Sequence, residues 1–418
     1  MEDTPRPPRR GLTPQIPSSP RRDLHPLLRA AARLSALAAG LTVAVAGVAS
    51  AHASPRSHDH QRPSPVVGHV YVNDNTAPAN TIAGFDRHAD GTLTPIPGSP
   101  FATGGAGTGS VIGSQGALQL TAGGRVLLAV DPGSNDISEL LVGRDGRLWP
   151  VPGARIPSGG DEPLSIAVAR RLVYVANAGA GASNYTGFAF DRFGRLHPLP
   201  GATFALPDSA QPGDVLINST ATRLVGTRVG TSQIDSFVID RRGGLHAAAG
   251  SPFAAQGAGP FGSEFDPTDP GQVFVSNAHG GPNAGTVSAF SDGPDGVLTS
   301  IGDSPFPNHQ TAPCWVEISR DGRHLFAVNT AVPSISSYEI HRDGTLSLID
   351  NTPFAGPNAA TLAPEDARLS PDGSTLWVVD SKGDAISGFA VRGGQLSQIA
   401  AAQTALPAGA TPFGVVVN

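Results

Sequence analysis

Five charged side chains sit at regular distances behind a proline in otherwise apolar strings. They are Asp214 in "QPGDVLIN", Glu264 in "GPFGSEF", Glu317 in "APCWVEIS", and Asp366 and Arg368 in "APEDARLS". Carboxylates crowded into a partly dry space repel one another, so one of them keeps its proton to unusually high pH and can exchange it with a substrate. An arginine among them can hold a substrate carboxylate or stabilise an oxyanion as it forms. Two plainer outcomes fit the same residues: Glu317 and Arg368 simply pair, or the carboxylates hold a cation. Counting from each proline, with Gln115 in its place in one string, position four holds Gln119, Ala167, Leu216, Glu264, Glu317, Arg368 and Val416. Position two adds Ser165, Asp214, Trp315 and Asp366. If the strings are strands, alternation puts both sets on one side. The expected catalytic groups are then Glu317 or Glu264 as the acid–base and Arg368 as the anion holder, with Asp214, Asp366 and Trp315 lining the same space.

Other candidates come from a second series, in which strands end on Asp74, Asp131, Asn177, Arg228, Asn277, Asn329 and Asp380. Asp or Asn at six of seven positions implies a repeated structural task, expected to be a turn in which the side chain bonds its own loop backbone. Arg228 breaks that rule and joins the catalytic candidates. His279 in "NAHGGPN" and His309 in "FPNHQ" fall in loops on the same side and are candidate substrate-binding groups or bases. Cys314 follows an inner-strand proline and reads as a small buried residue. The chain has no G-x-S-x-G elbow, no H-E-x-x-H helix and no complete EF-hand loop; no cofactor is expected, and no metal beyond a cation that the channel carboxylates could hold. "GGAGTGS" (104–110) lacks the lysine and helix of a phosphate loop and reads as a flexible connection.

The elements that position these residues are repeats. A turn glycine recurs at Gly91, Gly146, Gly194, Gly243, Gly296, Gly344 and Gly394, each with Leu two residues later. Upstream of each stands an apolar, mostly aromatic residue: Phe85, Leu140, Phe188, Phe237, Phe290, Tyr338 and Phe389. Each unit of about 50 residues holds four strand-like runs, such as "CWVEIS", "HLFAVN", "ISSYEI" and "LSLID". One four-stranded sheet cannot bury both faces, so the units must stack. The expected fold is all-β: a seven-bladed β-propeller with four antiparallel strands per blade. The C-terminal "TPFGVVVN" matches the first strand of a unit, whereas the first unit starts at its second strand, "VGHVYVND". The last strand should therefore complete the first blade.

Composition bounds the setting. Residues 1–53 combine a basic, Pro-rich stretch, the apolar run "LSALAAGLTVAVAGVA" and the small-residue sequence "ASAHA", the plan of a secretory signal. The apolar run is shorter than the ~20 residues of a membrane span. A retained anchor is the competing reading; with the signal removed, no stable span remains. Residues 54–63 read as a linker and 64–418 as the propeller, expected to be secreted and monomeric. From residue 54 the chain has 21 basic and 31 acidic groups, with Lys382 its single lysine. On average charge, neither nucleic acid nor an anionic membrane is an expected partner.

The pattern P-x-x-Φ-x-Φ, then a "DGR.LFVAN"-like run, then "ISxF.ID.DGxL", then "SPF" resembles the β-propeller lactonase family. That family includes 6-phosphogluconolactonases and carboxymuconate cyclases, and the resemblance spans about residues 64–418. It implies a seven-bladed propeller and hydrolysis or cyclisation of a small carboxylated lactone. Family members carry His and Arg at several inner-strand entrances. Here those entrances read "GPFGSEF", "APCWVEI" and "APEDARL", so none of those His or Arg residues transfers. The alternative is a non-catalytic extracellular module binding a glycan, peptide or cell-envelope partner through its loops.

Overall fold

The computed structural model describes residues 64–121, 123–400 and 403–418. The signal and linker expected over 1–63 lie outside them. Seven sheets follow one another, each with four antiparallel strands in sequential order from an inner to an outer strand. Five sheets add a two-residue piece on the third strand, as where Phe101–Ala102 returns to Thr81–His88. Among the described residues no helix is long and apolar enough to cross a membrane.

Ring closure occurs as expected. Val415–Val417 supplies the inner strand of blade 1 and pairs with Val66–Asn73, in the register Val70 to Val417, Tyr71 to Val416 and Val72 to Val415. Because strands alternate in direction, the turns between first and second and between third and fourth strands share one side, here the hairpin face. The blade-to-blade connections and second-to-third turns form the opposite loop face.

The repeat landmarks have physical causes. All seven turn glycines have φ between +74° and +85°, a conformation that a Cβ disfavours and tight hairpins need. The seven upstream residues, from Phe85 to Phe389, are all buried between sheets. Replacing one such phenylalanine, Phe188 for instance, by Ala should cost about 3–5 kcal/mol. The core is spread over the blade interfaces: Phe274 of blade 5 shares a cluster with Val316, Leu325 and Tyr338 of blade 6. Tyrosines add polar stitches across interfaces, with the Tyr71 hydroxyl donating to the carbonyl of Gly146 at 2.7 Å.

The three Ser-Pro-Phe triplets, at 99–101, 251–253 and 304–306, are expected from the sequence to be crossings between blades, but each first returns to its own sheet. In all three the serine Oγ accepts a backbone N–H from the third strand of its own blade, at Gly84, Ser236 and Ala289. The phenylalanine then pairs with that same strand. The chain first runs back along its own sheet and crosses afterwards.

Candidate functional site

The inner strands of blades 3 to 7 are Pro163–Ala169, Pro212–Ile217, Pro260–Phe265, Pro313–Ile318 and Pro364–Leu369. In each, the pairing register slips just after the proline, as between Pro212 and Asp214 or Pro313 and Trp315. Proline has no N–H to give the ladder, and the bulge that follows re-aims the next side chains. Beyond it, alternation turns Glu264, Glu317 and Arg368 towards a common space. Arg368 Nη1 donates to Glu317 Oε2 at 3.0 Å and lies 3.9 Å from Glu264 Oε2. Glu317 Oε1 also accepts the N–H of Leu369 at 2.9 Å.

Asp214 and Asp366 lie one layer nearer the loop face. Asp214 accepts from the Ser263 hydroxyl at 2.6 Å, the Ser263 N–H at 2.9 Å and the Ser165 hydroxyl at 3.0 Å. Asp366 accepts the N–H of Ala367 and, across to the closing strand, that of Val415 at 3.2 Å. The cavity among these groups measures about 150 Å³ and is lined by Gln119, Ala167, Leu216, Asp214, Glu264 and Arg368.

Protonation differs across the cluster. Burial raises the Glu264 carboxyl well above the ordinary range, and the neighbouring Glu317 raises it further. Glu317 is also raised, first by burial, with Arg368 pulling the other way. Asp214 is pushed up to about 7 by burial despite its hydrogen bonds, and burial raises Asp366 too. Glu317 is thus anchored at both oxygens, whereas Glu264 has one long contact with Arg368. Glu264 is the group left to exchange a proton. The expected pairing of Glu317 with Arg368 is present, but it leaves Glu264 over. Among the described residues no group of three or more His, Cys, Asp or Glu is arranged to hold a metal ion.

A roof closes the cluster from the loop face. Residues 111–116 dip across the channel: Gln115 Nε2 donates to the Ser263 carbonyl at 2.8 Å, and its Oε1 accepts the Val316 N–H at 3.0 Å. The Ser114 hydroxyl donates to Leu164 O, and Trp315 Nε1 donates to Ser114 O at 2.6 Å. One short segment from blade 2 therefore bonds to blades 3, 5 and 6. Gly262 fits beneath it because a Cβ there would collide with Gln115 Oε1 and with the backbone carbonyl of Cys314. Asp214 and Asp366 are sealed, whereas the side chains of Glu264 and Arg368 are 24% and 20% exposed. That gradient means solvent reaches them from the hairpin face.

The roof was missed in the sequence, although a signal existed. Fifteen residues separate Phe101–Ala102 from the next inner strand at Leu118, against five between Ala254 and Pro260. The preceding "GGAGTGS", expected to be flexible, is pinned to the rim. Gly107 N donates to Thr76 O and Gly109 N to Asn75 O, and a Cβ on Gly105 would strike the Asp131 carboxylate.

The remaining candidates lie apart from this cluster. Arg228 is buried in a two-pronged pair with Asp235, both contacts 2.6 Å, and Tyr185 donates to the same carboxylate. Trp315 is buried against Phe261, edge to face, and serves the roof. His279 and His309 are exposed on loops, and no side-chain hydrogen bond ties either to the channel cluster. Cys314 is buried and its thiol is pushed up to about 12.

The Asp/Asn ring also needs correcting. Asp380 does bond nearby loop N–H groups, at Lys382 and Ala363. Most of the others instead clamp a polar side chain on the facing third strand, typically seven residues on: Asp74 to Thr81, Asp131 to Ser138, Asn177 to Asn184 and Asn329 to Ser336. In these blades a short polar residue lies within the first three positions of the third strand, in reach of the ring side chain. Arg228 with Asp235 is the same clamp with charged partners.

Residues 264–413, which contain Glu264, Glu317 and Arg368, match the family described as "Lactonase, 7-bladed beta-propeller". Among solved structures, a candidate 6-phosphogluconolactonase of Bacteroides uniformis is 19% identical, covers 84% of this chain and 99% of its own, and superposes with a TM-score of 0.66. The periplasmic gluconolactonase of Pseudomonas aeruginosa gives 16%, 84%, 98% and 0.65. A hypothetical selenium-binding protein of Sulfolobus tokodaii gives 12%, 85%, 94% and 0.63. Identities this low speak for the fold, which proteins of different descriptions share. No curated protein matches the chain by sequence.

Proposed function

We propose that this seven-bladed β-propeller, whose residues 264–413 match a lactonase family, hydrolyses a small lactone in the central channel. The reading rests on one observation: Arg368 held between Glu317 at 3.0 Å and a loosely engaged Glu264 at 3.9 Å, in a cavity open to solvent on one side. In this reading the Glu264 carboxylate takes a proton from water as the water oxygen bonds to the lactone carbonyl carbon. The resulting oxyanion is stabilised by the Arg368 guanidinium, which Glu317 keeps aimed. Collapse breaks the ring C–O bond, and Glu264 returns the proton to the departing alkoxide. Cyclisation of a hydroxy acid would use the same groups in reverse.

Two features narrow the substrate. A cavity of about 150 Å³ is below the roughly 300–1,000 Å³ of drug-sized sites and suits a single small ring. One arginine faces four carboxyl groups, so an uncharged lactone fits better than the carboxylated or phosphorylated one that the family resemblance implies. The leader read in residues 1–53 would make the enzyme an exported monomer.

The test is a panel of uncharged γ- and δ-lactones followed by acid release, with wild type beside Glu264→Gln, Arg368→Ala and Glu317→Gln. Hydrolysis that falls about 10²–10³-fold in the first two variants is expected. Absence of turnover on every ring, or wild-type rates in both, would sink the assignment.

A further inference from the structure

The hairpin face is divided by charge. Its turns on blades 2 to 4 hold nine arginines, all exposed, against three aspartates, Asp145, Asp191 and Asp240. The corresponding turns of blade 5 hold three aspartates and no cation. Among the described residues, none of the nine arginines lies in an ion pair. The three aspartates are occupied in accepting N–H groups of their own turns, as Asp191 does from Phe193 and Arg195. The chain is acidic on average, and here it presents an excess of guanidinium groups, with Asp86 and Asp145 beside those of blade 2.

Apolar side chains are gathered at the same place. Seven large apolar residues are exposed in the described chain, and five of them, Val66, Val67, Leu141, Trp149 and Phe193, are on this part of the hairpin face. Four of the five line one hollow of about 1330 Å³ with Arg125, Arg144 and Arg147. The Arg147 guanidinium lies over the Trp149 ring, 5.8 Å from its centre. A second hollow of about 530 Å³, between blades 3 and 4, sets Arg170, Arg171, Arg241 and Arg242 around Leu172 and Leu199.

We propose that this sector adsorbs to an anionic lipid bilayer, with the arginines on the head groups and Trp149, Phe193, Leu141, Val66 and Val67 at the acyl boundary. Arginine and tryptophan suit that interface because each has an apolar body and a polar or charged end. A bilayer is favoured over a soluble polyanion by the exposed aliphatic side chains, which phosphate or uronate chains would leave in water. The chain also enters the propeller on this face, at Ser64. The expectation against an anionic membrane rested on average charge, and the fold sorts that charge by face and blade.

The full-length protein should partition into phosphatidylcholine vesicles containing phosphatidylglycerol at least about tenfold better than into phosphatidylcholine alone, with binding weakened by salt. A quadruple variant in the sector (Arg144→Glu, Arg147→Glu, Arg241→Glu, Arg242→Glu) should lose at least about tenfold. An equal charge change on blades 6 and 7 (Arg320→Glu, Arg323→Glu, Arg342→Glu, Arg392→Glu) should cost less than about threefold, since it lies outside the sector. Trp315 and Trp377 are buried, so a blue shift of tryptophan emission on binding reports on Trp149 and should vanish in Trp149→Phe. Unchanged thermal melting of the sector variant keeps the comparison fair. The proposal is overturned if both quadruple variants bind alike, which would assign binding to the leader. It is equally overturned if duplex DNA or a polyuronate captures the protein better than vesicles do.

Discussion

Arg228 and Arg368 are both largely enclosed and both held by carboxylates, yet they belong to different kinds of structure. Arg228 meets Asp235 seven residues on, within one hairpin, at the position where other blades place an Asp or Asn facing a short polar residue. Arg368 of blade 7 meets Glu317 of blade 6 and Glu264 of blade 5, residues 51 and 104 positions away. The first pair is complete: two short bonds and no acid left over. The second is unbalanced by design of the ring, with several acids facing one cation. A repeated local contact can change its chemistry and remain a clamp, whereas an unbalanced contact at the axis leaves a proton to move.

The sharpest break between the two regions is Asp235→Ala. It strands a buried guanidinium and should lower unfolding stability by about 3–5 kcal/mol in denaturant titration, with lactone turnover by the folded fraction unchanged. Arg368→Ala should do the reverse. It should lose about 10²–10³-fold in turnover, or about 2.7–4 kcal/mol of transition-state stabilisation, while the remaining acids take up protons. An Arg368→Ala protein with normal turnover would erase the distinction.

Glu264→Gln should abolish the rise of turnover with pH that reflects the raised carboxyl, whereas Arg228→Lys should leave that profile in place; a pH–rate series separates them. Opening the roof by Gln115→Ala removes bonds to Ser263 and Val316 and should cost about 1–3 kcal/mol, with faster amide exchange at Val316.

Stability should also depend on pH. Burial raises Asp74, Asp214 and Asp292 to about 7 and Glu365 to about 8. Between about pH 4, where the unfolded chain releases these protons, and pH 7–8, the folded state binds more of them. Their stabilisation is complete below about pH 4 and is lost as pH rises through 7–8. Asp240 and Asp372, lowered to about 2, act oppositely and lose their contribution below about pH 4. Melting should therefore occur at higher temperature at pH 5 than at pH 8, and Asp214→Asn should flatten part of that slope.

Much of the fold was legible because each blade repeats a local requirement. A glycine with positive φ must follow the third strand, and an aromatic residue must fill the interface before it. The closing strand could be read from a phase shift, since "TPFGVVVN" has the form of a first strand and "VGHVYVND" that of a second. Strand parity also brought Glu264, Glu317 and Arg368 together. Parity could not reveal that Glu317 is tied at both oxygens, nor that Gln115 reaches over the axis, because those contacts join residues 52 and 201 positions apart.

Local periodicity and backbone sterics, both written in the order of residues, determined the number of blades, their strands and the fastening of the ring. The tertiary arrangement alone decided which mouth of the channel stays open, which carboxyl keeps a free proton and where the arginines collect. Those properties depend on distance and desolvation between segments far apart in the chain, and linear spacing does not encode either quantity.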